Sequence, residues 1–116
     1  MNCNAKKVIH EVLYSAQEAG DIRLLRYGEV DSSYDPDRDI VQKGGDFLLK
    51  GSLLKSLICE YAQGYSASDI ISHLQSEHLL SEFSTAKKIR IDNGTYIDAR
   101  LLTLKRGCLT EYEDSD

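Results

Sequence analysis

No apolar run in this chain approaches the roughly twenty residues needed to cross a bilayer, and charge interrupts the N-terminal stretch MNCNAKKVIHEV before a signal-peptide core could form. The chain is therefore expected to carry no membrane span and to stay in the cytoplasm where it is made. Cysteine is sparse and scattered. Cys3, Cys59 and Cys108 make an odd set without metal-ligand spacing, which argues against a disulfide scaffold and for a reducing compartment. The single proline, Pro36, falls in a stretch rich in aspartate and glycine. A glycine-rich phosphate loop, a GxSxG elbow and an HExxH pair are all missing. The sequence thus predicts a protein without catalysis, cofactor or metal.

What the chain does contain is helical rhythm. Residues 4–19 place Ala5, Val8, Ile9, Val12, Leu13, Ala16 and Ala19 on one stripe, with Asn4 available as a cap and Gly20 as a stop. Residues 47–62 repeat the pattern at Phe47, Leu48, Leu53, Leu54, Leu57, Ile58, Tyr61 and Ala62. Gly64 can close that helix, and Ser66 with Asp69 three residues on opens another, whose stripe is Ile70, Ile71, Leu74 and His78. Two helices joined by so short a turn pack antiparallel.

Two segments between and after these are read from weaker signals. Asp21 starts one further turn through Ile22, Leu24 and Leu25 that ends by Gly28, and 29–46 form a surface loop. Farther on, Ile97, Leu101, Leu104 and Cys108 recur at helical spacing, Thr95 and Asp98 have capping-box spacing, and strict alternation fails at Leu101-Leu102. A helix over 95–109 is expected. The Asn93-Gly94 pair between IRI and TYI keeps a β-hairpin open as the alternative. The expected fold is all-α: one helical domain over residues 1–110 built on the antiparallel helical hairpin, with 111–116 as a frayed acidic tail. The alternative is an α+β winged helix.

The chain of 116 residues carries a net charge of -5, unevenly spread. Residues 1–83 hold 8 Lys and Arg against 13 Asp and Glu, residues 84–107 hold 6 against 2, and residues 108–116 hold none against 4. An acidic whole suits a basic partner and argues against sequence-independent binding of nucleic acid by the domain at large. The basic island is the exception. In the winged-helix alternative, residues 84–90 would enter the major groove with Lys87, Lys88 and Arg90 on phosphates or bases, and Asn93-Gly94 would tip the wing.

Other clusters read as ordinary surface or core. Asp35, Asp37, Asp39 and Asp46 match four positions of a calcium loop, but Ile40 stands where that loop needs glycine and Asp46 where it needs glutamate. His73, Glu77 and His78 fit a helix surface better than a metal site. Cys59, on the apolar stripe, is expected to be an inert buried thiol.

The wording of the hairpin, LLKSLICEYAQGYSASDI, resembles the signature of the PoNi-type immunity proteins of bacterial interbacterial-toxin systems. Leu54, Leu57, Ile58, Tyr61, Ala62, Gly64, Tyr65, Ser66, Asp69 and Ile70 carry that resemblance. YIDARLLTL is similar to a helix of the same family through Tyr96, Asp98, Leu102, Thr103 and Leu104, with Thr103 replacing a serine. The resemblance implies a cytoplasmic antidote that binds a basic, nuclease-type toxin and blocks its active site. A nuclease presents cations to phosphate, so carboxylates would meet it: Asp31, Asp35, Asp37 and Asp39, joined by Glu11, Glu18 and Asp21. Tyr34 beside them is the expected aromatic anchor.

Overall fold

The computed structural model describes residues 5–91 and 94–105. Ala5–Ala19 form helix α1, whose expected stripe is buried from Ala5 through Ala16. Gly20 closes it at a φ of +82, and the Asp21 N–H reaches back to the Ala16 carbonyl at 2.9 Å. The proposed cap, Asn4, lies outside the described residues. Gly51–Tyr61 form α2 and Ala67–Ser76 form α3. Gly64, at a φ of +96, turns the chain between them, and the Ser66 side chain accepts from the Asp69 N–H as its spacing predicts. His78 is not part of the α3 stripe. It sits at a φ of +61 just past the helix end, where its N–H bonds to Gln75 and the next N–H bonds to Leu74.

The all-α expectation is overturned by a five-stranded sheet. Arg23–Arg26 is β1, Asp39–Lys43 is β2, Asp46–Leu49 is β3, Thr85–Arg90 is β4 and Tyr96–Lys105 is β5. The strands lie in the order β1-β2-β3-β5-β4, with β1 and β2 parallel and the other pairs antiparallel. The architecture is α+β, the class of the alternative reading. Residues 21–25 are therefore not a helical turn, the stretch 29–46 is not all loop, and 47–49 precede the helix instead of starting it. The segment expected to be helical over 95–109 pairs edge to edge with β4, Ile89 opposite Ile97 and Arg90 opposite Tyr96. YIDARLLTL, similar in wording to a helix, is a strand here. Cys3, Cys108 and the tail at 111–116 lie outside the described residues.

The physical reason is burial on two faces. Successive strand residues point to opposite sides, so a strand covered on both faces reads as an unbroken apolar run instead of an alternation. Phe47 and Leu49 enter a core shared with all three helices, together with Leu102 and Leu104. Leu48 and Leu101 enter a second core on the other face, with Val30, Tyr34, Val41, Ile89 and Ile91. No helix covers that second face among the described residues. The sheet curls over it instead, and a parallel bridge from Val30 to Ile91 joins the chain beyond β1 to the chain beyond β4. The Leu101-Leu102 pair that broke the alternation marks the point where β5 passes from one covered face to two.

Because those neighbours fill different cores, Leu101→Ala and Leu102→Ala should each lower unfolding free energy by about 3 kcal/mol in urea titrations. His78→Gly should raise it by about 1 kcal/mol, since glycine adopts the left-handed conformation without steric cost.

Candidate functional site

Of the acidic stretch 31–39, Asp39 and Tyr34 turn inward while Asp31, Asp35 and Asp37 stay exposed. Asp39 opens β2 with its side chain fully buried, and its register partner Arg23 on β1 grips it with two hydrogen bonds, Nε to Oδ1 at 2.9 Å and Nη2 to Oδ2 at 2.8 Å. Arg38 Nε donates to Oδ1 at 3.0 Å and the Asp35 N–H to Oδ2 at 2.9 Å. Burial works against the charge, yet these donors outweigh it and hold the carboxyl at about 2. Asp37 pairs with Lys50 at 2.8 Å, and Asp31 accepts from both the Ser33 amide and its hydroxyl. Those Ser33 bonds lower the Asp31 pKa. Asp35, exposed, accepts from the Asp37 N–H at 3.0 Å.

Tyr34 is not a surface anchor. Its ring lies in the second core, and its hydroxyl is buried with no hydrogen-bond partner among the described residues. Burial first, then the nearby Asp39 and Asp35 charges, push that hydroxyl up to about 12. Glu11 and Glu18 stand exposed on α1, and Asp21 accepts a bond from the Tyr61 hydroxyl, which raises the tyrosine's pKa. The carboxylates expected to act together therefore divide between internal ion pairs and separate surfaces.

The four calcium-loop aspartates do not converge either, since Asp46 on β3 faces Lys105 on β5 at 4.0 Å. Among the described residues no three potential ligands gather in a metal-binding group. Cys59 is exposed on α2, which corrects the expectation of a buried thiol. Its neighbours Leu57 and Ile58 take the buried positions of that turn.

The β4–β5 hairpin presents a different kind of surface. Register places Ala86 opposite Arg100, Lys88 opposite Asp98 and Arg90 opposite Tyr96, and all six residues are exposed on one face. The residues between them, Ile89, Ile97, Ala99 and Leu101, turn to the second core. Lys88 touches Asp98 at 3.3 Å, and Arg100 donates to the Ser84 carbonyl at 3.4 Å. Tyr96 is 57% exposed, and Phe83, just before β4, is 75% exposed. Of the residues named from sequence, Lys88 and Arg90 are on this face, whereas Lys87 is half-buried on the other. All three lie on a strand.

Sequence reasoning missed Tyr96, Arg100 and Phe83. The signal was available in the alternation of 96–101, polar at Tyr96, Asp98 and Arg100 and apolar at Ile97, Ala99 and Leu101. The turn that joins the strands is pinned by the Gly94 N–H on the Ile91 carbonyl, with Gly94 at a φ of +91. Comparison with models of known protein families, and with curated proteins, finds no match.

The buried ion pair has a measurable signature. The folded pKa of Asp39 lies below its unfolded value near 4, so its contribution is complete above that value and is lost as pH falls from about 4 through about 2. Unfolding free energy should drop by about 2 kcal/mol across that window, and Asp39→Asn should lose about 3 kcal/mol at neutral pH while flattening the acid dependence. Tyr34→Phe should be neutral or stabilising in the same titrations, because it removes an unpartnered hydroxyl.

Proposed function

We propose that this chain is a non-catalytic binding domain that contacts the phosphate backbone of nucleic acid through the open face of the β4–β5 hairpin. The observation that carries this reading is the convergence of Lys88, Arg90 and Arg100 on one exposed strand face, opposed there, among the described residues, by the carboxylate of Asp98. Cations spaced along a two-stranded ribbon can follow a phosphate chain. The acidic remainder of the molecule then orients encounter by repelling phosphate everywhere else.

The element order supports it. The chain runs helix, three strands, two helices joined by a tight turn and a closing hairpin; its last four elements follow the order of a helix-turn-helix with its wing, the three strands before them do not, and a fold alone fixes no function. The helix that would enter a groove, α3, has Asp69 in its first turn and neither lysine nor arginine. Contact therefore falls to the hairpin. The antidote reading competes with this one and would have to work through Glu11, Glu18, Asp21, Asp31 and Asp35, since Tyr34 is buried and Asp37 and Asp39 are ion-paired.

At low salt the full chain should bind labelled nucleic acid with a dissociation constant on the order of 10 μM, and the affinity should fall with salt as expected for about three phosphate contacts. Lys88→Glu with Arg90→Glu should abolish binding, and Asp98→Asn should strengthen it several-fold by freeing Lys88. Absence of binding at low salt, or binding indifferent to the double reversal, would overturn the proposal. Capture of a basic nuclease domain by a chain that ignores nucleic acid would instead favour the antidote.

A further inference from the structure

Four large apolar or aromatic side chains are prominently exposed among the described residues: Tyr14, Tyr65, Phe83 and Tyr96. Two of the four border the basic hairpin face. Tyr96 stands directly opposite Arg90 on that face, and Phe83 immediately precedes Ser84, whose carbonyl receives Arg100. From these positions we infer that the preferred ligand of the hairpin is single-stranded nucleic acid, its bases stacking on Tyr96 and Phe83 while Lys88, Arg90 and Arg100 hold its phosphates. The inference rests on the nucleic-acid reading above and specifies which form is bound.

The argument is one of chemical complementarity. In a duplex the bases are already stacked on one another, so flat aromatic rings outside the grooves gain nothing from contact with it. A single strand offers unstacked π-faces together with phosphates, and the surface that suits it alternates aromatic rings with cations. The open face does so in part: Tyr96 with Arg90 at one end, Lys88 midway and Arg100 toward the other, with Phe83 exposed just before the strand begins. Arginine can also stack on a base plane, which gives Arg90 and Arg100 a second mode of contact. Thr85 is in register with Leu101 and Arg90 with Tyr96, so the face runs five residues of rise, about 17 Å and enough for several nucleotides, with Phe83 two residues beyond its far end.

Duplex docking lacks the corresponding parts. The α3 surface carries Asp69 at its start and no cation of the lysine or arginine type, so it would meet a groove wall with repulsion. Lys88 is partly engaged by Asp98 across the hairpin, which leaves a ridge of charge instead of a broad basic plate. A narrow ridge with a ring at its end matches one strand better than two.

The test compares fluorescence anisotropy of a labelled twelve-nucleotide DNA of unpaired sequence with that of the same length as duplex, both titrated with the full chain at low salt. The single strand should bind at least tenfold more tightly. Tyr96→Ala and Tyr96→Leu should each weaken it about tenfold, in the range of one lost base stack, and Tyr96→Phe should restore most of the affinity because the flat ring is retained. Phe83→Ala should weaken it in the same direction, and Tyr14→Ala, on α1, should not. Thermal unfolding of each variant confirms that exposed substitutions leave the fold intact. Equal or tighter duplex binding that still depends on Lys88 and Arg90 would overturn the single-strand inference and leave the nucleic-acid reading standing. Loss of stacking dependence, with leucine as good as phenylalanine, would overturn it as well. Failure to bind either form would remove both.

Discussion

The pairing of β5 with two different partners is the constraint on which the architecture depends. Its C-terminal half lies against β3, Leu102 opposite Leu49 and Leu104 opposite Phe47, while its N-terminal half lies against β4. One strand therefore joins the last third of the chain to the middle, and its side chains help to fill both cores at once. The helices pack where β3 and β5 run together, and where β5 leaves β3 the outer face of the sheet becomes free. The open hairpin face is a direct result of that departure. A sheet completely covered by helices would have left no exposed strand surface for a ligand.

Charge follows the same division. Where strands are covered, the charged groups answer one another: Asp39 is satisfied by Arg23, Arg38 and a backbone amide, and so can sit at zero exposure beside an apolar core. Such a pair fixes register more than it adds stability, because desolvation offsets much of the Coulomb gain. It couples β1 to β2 across sixteen residues of sequence, the separation at which local preference has no influence. On the uncovered hairpin the opposite holds. Lys88, Arg90 and Arg100 meet one carboxylate, Asp98, among the described residues, and all three stay exposed. An acidic chain thereby keeps a small basic surface.

Much of the helical layer was legible because its signals are local. The stripe of α1, the left-handed glycines at 20 and 64, and the Ser66 cap each depend on residues within a turn or two, and the structure has them. The strands were not, for three distinct reasons. Residues 23–26 and 46–49 are four-residue strands, too short for either period to declare itself. Residues 47–49 are buried on both faces and read as a continuation of the next helix. Over 96–105, burial on one face and then on both produced steps of four and three residues that imitate a helix. The Asn93-Gly94 signal pointed to the correct hairpin. The site was legible in half-measure: Lys88 and Arg90 stood out as charge, but Tyr96 and Arg100 join them only through cross-strand register.

The sequence by itself determined where α1 closes and where α3 opens, that the backbone turns left-handed at Gly20 and Gly64, and which region carries excess positive charge. Each follows from contacts within a few residues or from composition alone. Only the tertiary structure decided that Leu101 and Leu102 serve opposite cores, that the aspartate-rich stretch spends its strongest carboxylate on an internal ion pair, and that Tyr34 points inward. Those outcomes depend on which distant segment lies across the sheet, and a residue cannot encode its partner's address when its own neighbours allow either face.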